Sequence, residues 1–368
     1  MTMTTPDVEA QRRDALAGRL FEATLGAFEL LSVYLGDRLG LYGAIREHGP
    51  ATAGELAAVT GIDPRYAREW LEQQAVASFL EVDSVDADPD ARRYSLPDGH
   101  AAVVLDPDHL ALMAPMARFV VGAAQRMPEL LEAYRTGRGV AWSDYGPDVV
   151  EAQAAINRPQ FGTHVATSWI PAMADIDARL RNGAGARVAD VGCGTGWSTI
   201  AIARGYPTAL VDGLDVDPGS IDQANEMLAG LGDDLAARVT FAARDAADPA
   251  LAGRYDLVTI FEALHDMAQP VPVLRAVRRL LAPGGAVLVA DERVAERFTA
   301  PGDETERLMY GYSLVLCLAN GLADRPSVGT GTVLRPAAIG QMAKDAGFSG
   351  MSILPIEHDT FRFYRLDP

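Results

Sequence analysis

The segment Arg187-Val-Ala-Asp-Val-Gly-Cys-Gly-Thr-Gly-Trp197 decides the fold. Arg187 to Val191 has the length and apolar character of a short buried strand. It stops at Gly192, Gly194 and Gly196, and the chain then turns into a helix near Ser198. Residues without side chains at such a turn relieve the steric limits on φ and let a ligand approach bare backbone. The spacing is G-x-G-x-G, not the G-x-G-x-x-G of dinucleotide-binding folds. Alone, the turn fits a packed strand–helix junction as readily as a ligand cradle, so the residues after it carry the decision.

Leu210-Val-Asp-Gly-Leu-Asp215 is a second strand that ends in a carboxylate. Ligands of open α/β sheets lie beyond the carboxyl ends of the strands, so Asp215 faces whatever the glycines cradle and is placed to accept both hydroxyls of a ribose. Val239-Thr-Phe-Ala-Ala-Arg-Asp245 is a third strand, with Asp245 placed to accept from an adenine amino group. Tyr255 to Phe261 is a fourth, leading into Glu262-Ala-Leu-His265-Asp266, and Leu280-Leu-Ala-Pro-Gly-Gly285 turns a helix into a fifth strand, Ala286 to Ala290. This ordered series resembles the class I S-adenosylmethionine-dependent methyltransferases from about Ala172 onward. The resemblance implies an α/β, Rossmann-like sheet of seven strands with the last one antiparallel. It also implies S-adenosylmethionine as cofactor, with Asp190, Gly192, Gly194, Asp215, Val216, Asp245, Ala246 and Phe261 around it. That molecule has no phosphate, so the glycine turn needs no Lys or Arg. Its sulfonium suits an acidic or aromatic-lined pocket, to which Trp197 and Phe261 offer ring faces. Cys193 reads as a packing residue, since no histidine-based thiolate arrangement lies near it in sequence.

The chain has 368 residues, enough for two domains, and an apolar content of 49%. No apolar run approaches a membrane span, and an N-terminus carrying Asp7 and Glu9 does not resemble a signal peptide. Cys193 and Cys317 lie too far apart in sequence to imply a disulfide framework, which fits a reducing cytoplasm. The formal charge of −18 argues against a nucleic-acid partner, whose phosphates bind cations.

That charge bears on the N-terminal module. Val33 to Ile45 is an amphipathic helix, Thr52 to Gly61 a short helix closed by Gly61, and Asp63-Pro64 starts another through about Phe79. Leu80 to Leu96 is a hairpin with an acidic tip, and the whole is a winged-helix pattern. A DNA reader needs positive charge on its second helix and wing. Residues 1–100 instead hold 9 basic and 17 acidic residues, a balance of −8. The module, with Leu39 to Ile45 and Glu55 to Gly61, looks like the dimerisation domain of plant and actinobacterial small-molecule O-methyltransferases. The expected organisation is a dimerisation domain over 1–100, a helical connector and pocket wall over 101–171, and a cofactor domain over 172–368. An insertion at about 294–335 is placed to act as a lid.

In the connector, Pro115 and Pro128 break an apolar stretch, and two helices are expected over Pro147–Ile156 and Pro159–Met173. Trp142, Tyr145, Phe161 and His164 are its candidates for the acceptor pocket, joined by Glu262 and by Tyr310 on a lid helix running from about Glu304 to Leu318. His265 follows the fourth strand, where the methyl group is expected, and titrates in the range of a general base. Ala263-Leu-His-Asp-Met267 resembles the Leu-His-Asp-Trp element of those O-methyltransferases, whose His is the base; Met267 replaces the Trp. The bland alternative leaves His265 as a backbone hydrogen-bonder. Asp266 is expected to cap the next helix, because adjacent side chains rarely point together. Asp291 and Glu292 suit a hard cation or, more economically, a polar network, and no metal is expected. The expected function is methyl transfer to a hydroxyl of a small molecule. Carbon or nitrogen methylation on the same scaffold is one alternative, and a cofactor-sensing regulator is another.

Overall fold

The computed structural model describes residues 5–183, 185–248, 251 and 255–368. Two compact units divide the chain, Met1–Val121 and Gly122–Pro368. The boundary falls inside the stretch 101–171 read as a connector.

The second unit is built on a seven-stranded sheet. Its strands are β1 (Arg187–Val191), β2 (Leu210–Asp215), β3 (Val239–Ala243), β4 (Tyr255–Phe261), β5 (Leu281–Glu292), β6 (Gly350–Ile353) and β7 (Phe361–Asp367). Their order in space is β3-β2-β1-β4-β5-β7-β6, with β1 to β5 parallel and β7 antiparallel to both its neighbours. The central strands carry apolar residues on both faces, as a sheet covered by helices on both sides requires: Val188, Leu257, Val258, Ile260 and Ala286 to Val289 are fully buried. The order reverses at β1/β4, so the glycine turn opens at the switch point where ligands of such sheets bind. Register sets the rest of the site. Phe261 pairs with Ala290, so the residues following β4 and those ending β5 emerge side by side.

Two helical expectations need correcting. Pro147 to His164 is one helix with Pro159 inside it, followed by a π-helical turn over Val165–Trp169. A proline removes a single N–H and its ring is buried here, so packing carries the helix through. Pro115 and Pro128 stand in the first turns of two separate helices, Ala114–Ala124 and Met127–Thr136, so the stretch is divided as expected. The helix expected as part of a lid starts at Glu304, capped by Asp303, and runs through a π-helical turn at Ser313–Cys317 to Gly321, past the expected end at Leu318.

In the first unit, α1 (Thr5–Arg38) is far longer than the periodicity suggested, and the helix expected over Val33–Ile45 is broken by Gly40 at φ 68° before α2 (Leu41–His48). Helix α3 (Ala53–Thr60) has the Thr52/Glu55 capping box, and α4 (Pro64–Val76) is capped by Asp63. Two-residue strands Glu81–Val82 and Tyr94–Ser95 make the wing. Gln74, fully buried, accepts from Tyr42 at 2.6 Å and donates to Ser32 at 2.9 Å, tying α1, α2 and α4 together. Among the described residues no helix is long and apolar enough to cross a membrane.

Candidate active site

The glycine turn is shaped by packing on two sides and left open on the third. A Cβ on Gly192 (φ 73°) would lie 2.5 Å from that of Ala263, and one on Gly196 (φ 90°) 2.5 Å from the Phe241 ring. Gly194 (φ 51°) has nothing within 4 Å of that position. Beneath the turn, Asp190 is fully buried and accepts from Ser198 (2.6 Å), Thr199 (2.7 Å) and Thr259 (2.6 Å). Burial raises its pKa and the three hydroxyls pull it back. Enclosed in this way, Asp190 supplies the shape of the turn.

Asp215 joins β2 to the same turn. One carboxylate oxygen accepts the Gly194 N–H and the other the Asp217 N–H, both at 2.9 Å, so each retains a lone pair for a further donor. Burial, only partly countered by these N–H groups, lifts its pKa. Arg244 N–H donates to the Asp215 carbonyl at 2.7 Å and brings the end of β3 alongside. There Asp245 is exposed, with one oxygen on the Ala247 N–H at 2.8 Å, and Ala246 is buried beneath it. Val216 is 73% exposed beside Asp215, an apolar side chain with nothing yet to cover it. Open space at Gly194, spare lone pairs on Asp215 and an uncovered Val216 fit an adenine–ribose group.

The two aromatic candidates are less available. The Arg158 guanidinium lies 4.5 Å over the Trp197 ring, and Phe261 is packed 5.8 Å from Phe161 and 5.4 Å from Trp169 in the core.

Past β4, His265 sits in a short helical turn, Leu264–Asp266, and is 3% exposed. Its Nδ1 lies 3.2 Å from each carboxylate oxygen of Asp291, the fully buried end of β5. Nδ1–H therefore donates to Asp291, leaving Nε2 as the nitrogen that can accept a proton, with Asp266 and Cys317 beside the ring. Asp266 does not cap the next helix. The chain still turns at that point; helix Pro270–Leu280 starts after Gln269 with no side-chain cap, and Asp266 instead brings Oδ1 within 3.6 Å of His265 Nε2. Burial opposes charge on His265, but Asp291 and Asp266 outweigh it and hold the ring protonated well above the ordinary histidine range. His265, Asp266 and Cys317 each place one potential ligand atom within 4.8 Å of the others.

Around this dyad lies more buried acid than the sequence reading anticipated. Glu262 has φ 52°, an uncommon conformation for a residue with a side chain. Its Oε2 accepts from Gln153 at 2.9 Å, whereas Oε1 is buried without a hydrogen-bond partner. Burial pushes its pKa up to about 7. Glu292, 7% exposed, has Oε2 buried and equally unpartnered. Burial, then the charge of Glu262, raises its pKa strongly.

Of the expected pocket residues, Trp142 donates its backbone N–H to Asn320 at 3.0 Å and Tyr145 its hydroxyl to Val315 at 2.8 Å, tying that turn to the lid helix. Phe161 and His164 join an aromatic cluster with Trp169, whose ring stacks on His164 at 6.2 Å. Tyr310 is 39% exposed and faces Arg335; Tyr312, on the same helix, is the tyrosine whose hydroxyl lies in the field of Glu262 and Glu292. The partnership of Asp291 with His265, and the contributions of Gln153 and Cys317, were not read from sequence. Only Asp291 left a signal, as an acid ending the strand beside β4.

The Methyltransferase domain family matches residues 189–287, and the Rv2258c-like winged HTH domain family matches residues 27–105. A ubiquinone biosynthesis O-methyltransferase of Pseudomonas syringae pv. tomato is 31% identical over 198 residues, covering 52% of this chain and 76% of that protein. A trans-aconitate 2-methyltransferase of Methylobacterium nodulans is 35% identical over 116 residues; the match takes in 32% of this chain and spans only 42% of that relative's length. The structure of a mitomycin 7-O-methyltransferase superposes with a TM-score of 0.71 over 97% of this chain and 99% of that one, at 20% identity, a likeness of fold. Together with the sheet order and the glycine turn, these matches establish that the chain belongs to the class I S-adenosylmethionine-dependent methyltransferases.

Proposed function

We propose that the protein methylates a hydroxyl of a small organic molecule, with His265 as general base. The observation that carries this reading is the His265–Asp291 pair at the carboxyl ends of β4 and β5, next to the glycine turn. S-adenosylmethionine supplies an electrophilic methyl group on a sulfonium. Gly192, Gly194, Asp215, Val216 and Asp245 would hold its adenosine part. His265 Nε2 takes the hydroxyl proton, while Asp291 fixes the tautomer and faces the imidazolium that results. The Pseudomonas relative, a ubiquinone biosynthesis O-methyltransferase, points the same way. The test is transfer of label from methyl-labelled cofactor to a panel of phenols, enols and carboxylates. Label appearing only on carbon or nitrogen acceptors would overturn the hydroxyl assignment.

Asp215→Ala removes the carboxylate that both positions Gly194 and offers lone pairs to ribose. Affinity for S-adenosylhomocysteine is expected to fall by roughly 1.5–3 kcal/mol, the worth of a hydrogen bond to a charged group. Unchanged calorimetric affinity would remove Asp215 from the cofactor site.

The first unit serves, in this proposal, as a homodimer interface. Helix α1 exposes Leu16, Leu20, Phe21, Phe28, Leu31 and Leu35 at 45–65%, a run of apolar surface that a second copy would cover. The arginines a DNA reader would use are paired with acids: Arg68 with Asp90, Arg92 with Glu72 and Arg93 with Glu55. The double substitution Leu20→Glu/Phe28→Glu is expected to halve the mass found by light scattering. A mass unaffected by the substitution would place the interface elsewhere. Both cysteines are buried free thiols, in keeping with the proposed cytoplasmic location.

A further inference from the structure

Four carboxylates, Glu262, Asp266, Asp291 and Glu292, meet around one histidine. Asp291 is engaged by His265 Nδ1, and Asp266 faces Nε2. Among the described residues no arginine or lysine pairs with any of the four. Glu262 and Glu292 are thus left with one oxygen each that is buried and has no partner. Asp266 Oδ1 is a third such atom, with His265 Nε2 3.6 Å away, and Asn157 lies beside Glu262. Buried polar atoms in native proteins are nearly always satisfied, so the orphaned oxygens of Glu262 and Glu292 mark a missing donor. Glu262 is moreover held in a left-handed backbone conformation that non-glycine residues occupy at a cost, as functional positions often are.

The sheet says which molecule would bring that donor. Gly194 follows β1 and Asp215 ends β2, on one side of the switch point, whereas Glu262 follows β4 and Glu292 ends β5 on the other. Adjacent strands are about 4.8 Å apart, so Glu292 stands roughly two strand spacings from the glycine turn, on the acceptor's side of His265. We propose that the methyl acceptor carries a protonated basic nitrogen that docks on the orphaned oxygens of Glu262 and Glu292, beside the hydroxyl presented to His265. This rests on the methyltransferase reading above and narrows its substrate to amino- or amidino-bearing hydroxy compounds. The charged groups facing the pair are His265 and Asp266 from the turn after β4 and Asp291 from β5, with the Tyr312 hydroxyl from the lid helix. A bound cation would keep both glutamates ionised, so docking near neutral pH should release a proton to solvent.

The experiment is calorimetric titration of the full-length protein, with and without S-adenosylhomocysteine, using benzylamine and its neutral isostere benzyl alcohol in buffers of different ionisation enthalpy. Benzylamine is expected to bind about tenfold or more tightly than the alcohol, with proton release, and to lose that advantage in Glu292→Gln and in Glu262→Gln. Thermal melting confirms that each variant is folded, and either one suffices for the comparison. Equal or absent binding of the two probes overturns the proposal, as does a preference that survives both substitutions. If instead Glu292→Gln weakens S-adenosylmethionine but not S-adenosylhomocysteine, the carboxylates serve the cofactor's sulfonium and the proposal is likewise overturned. Failure of S-adenosylhomocysteine to bind at all would strike the methyltransferase reading, while the benzylamine comparison would still be read on the protein alone.

Discussion

His265→Ala is expected to lower turnover by about 100- to 10,000-fold, the usual worth of a positioned general base, while leaving affinity for S-adenosylhomocysteine unchanged. The ring follows β4 and is held by Asp291 of β5, whereas the adenosine part is assigned to Gly194 and Asp215, so its loss reaches the proton and not the adenosine part. The structure also gives the sign of the pH dependence. Asp291 and Asp266 raise the pKa of His265, so the neutral ring that can accept a proton is the minor form at neutral pH. Turnover of the wild-type protein should therefore climb as pH rises, with its midpoint above the ordinary histidine value. Asp291→Asn removes the largest attractive charge and should shift that midpoint downward. Single-turnover rates across mildly acidic to alkaline pH measure both effects. A variant without His265 that keeps the wild-type rate and profile would return the residue to a structural role.

The second large effect is expected at Asp190, whose carboxylate is buried beneath the glycine turn. Asp190→Ala strands the hydroxyls of Ser198, Thr199 and Thr259 in a buried space and frees the start of the helix that the glycine turn leads into. Three hydrogen bonds to a buried carboxylate are lost together, against which stands the desolvation the carboxylate no longer suffers. A net loss of about 3 kcal/mol or more is expected in urea unfolding. Cofactor affinity should fall as well, since Gly192 and Gly194 lose their support. An unfolding midpoint that does not move would show the carboxylate to be dispensable for the turn.

What could be read from the chain, and what could not, follows from how far apart the cooperating residues lie. The glycine turn, the acid ending β2, the acid just past β3, and the Asp63 and Gly61 caps are local patterns, and they stand where the sequence places them. The site around His265 is different in kind. Its partner Asp291 is 26 residues away and meets it only because β4 and β5 are neighbours in register. Asp266 was misjudged because the rule that adjacent side chains diverge holds for regular elements; in the tight turn after β4 the chain brings the two together. Pro159 misled for a similar reason, since its penalty was weighed without the packing that offsets it. Orphaned oxygens such as those of Glu262 and Glu292 have no signature in a linear pattern at all.

The strand order carries a consequence for the order in which the molecule can assemble. β7, residues 361–367, is not an edge: it lies between β5 and β6 and pairs Arg362 with Asp291 and Phe361 with Glu292. Until those residues leave the ribosome, the nascent chain has its first five strands but an open edge along β5, with apolar Val287 and Val289 unpaired. The helices and parallel strands made earlier can collapse during synthesis, while the free edge of β5 beside Asp291 and Glu292 is paired only when β7 slots in. A chain lacking β7 would thus present a free strand edge along β5 to other chains.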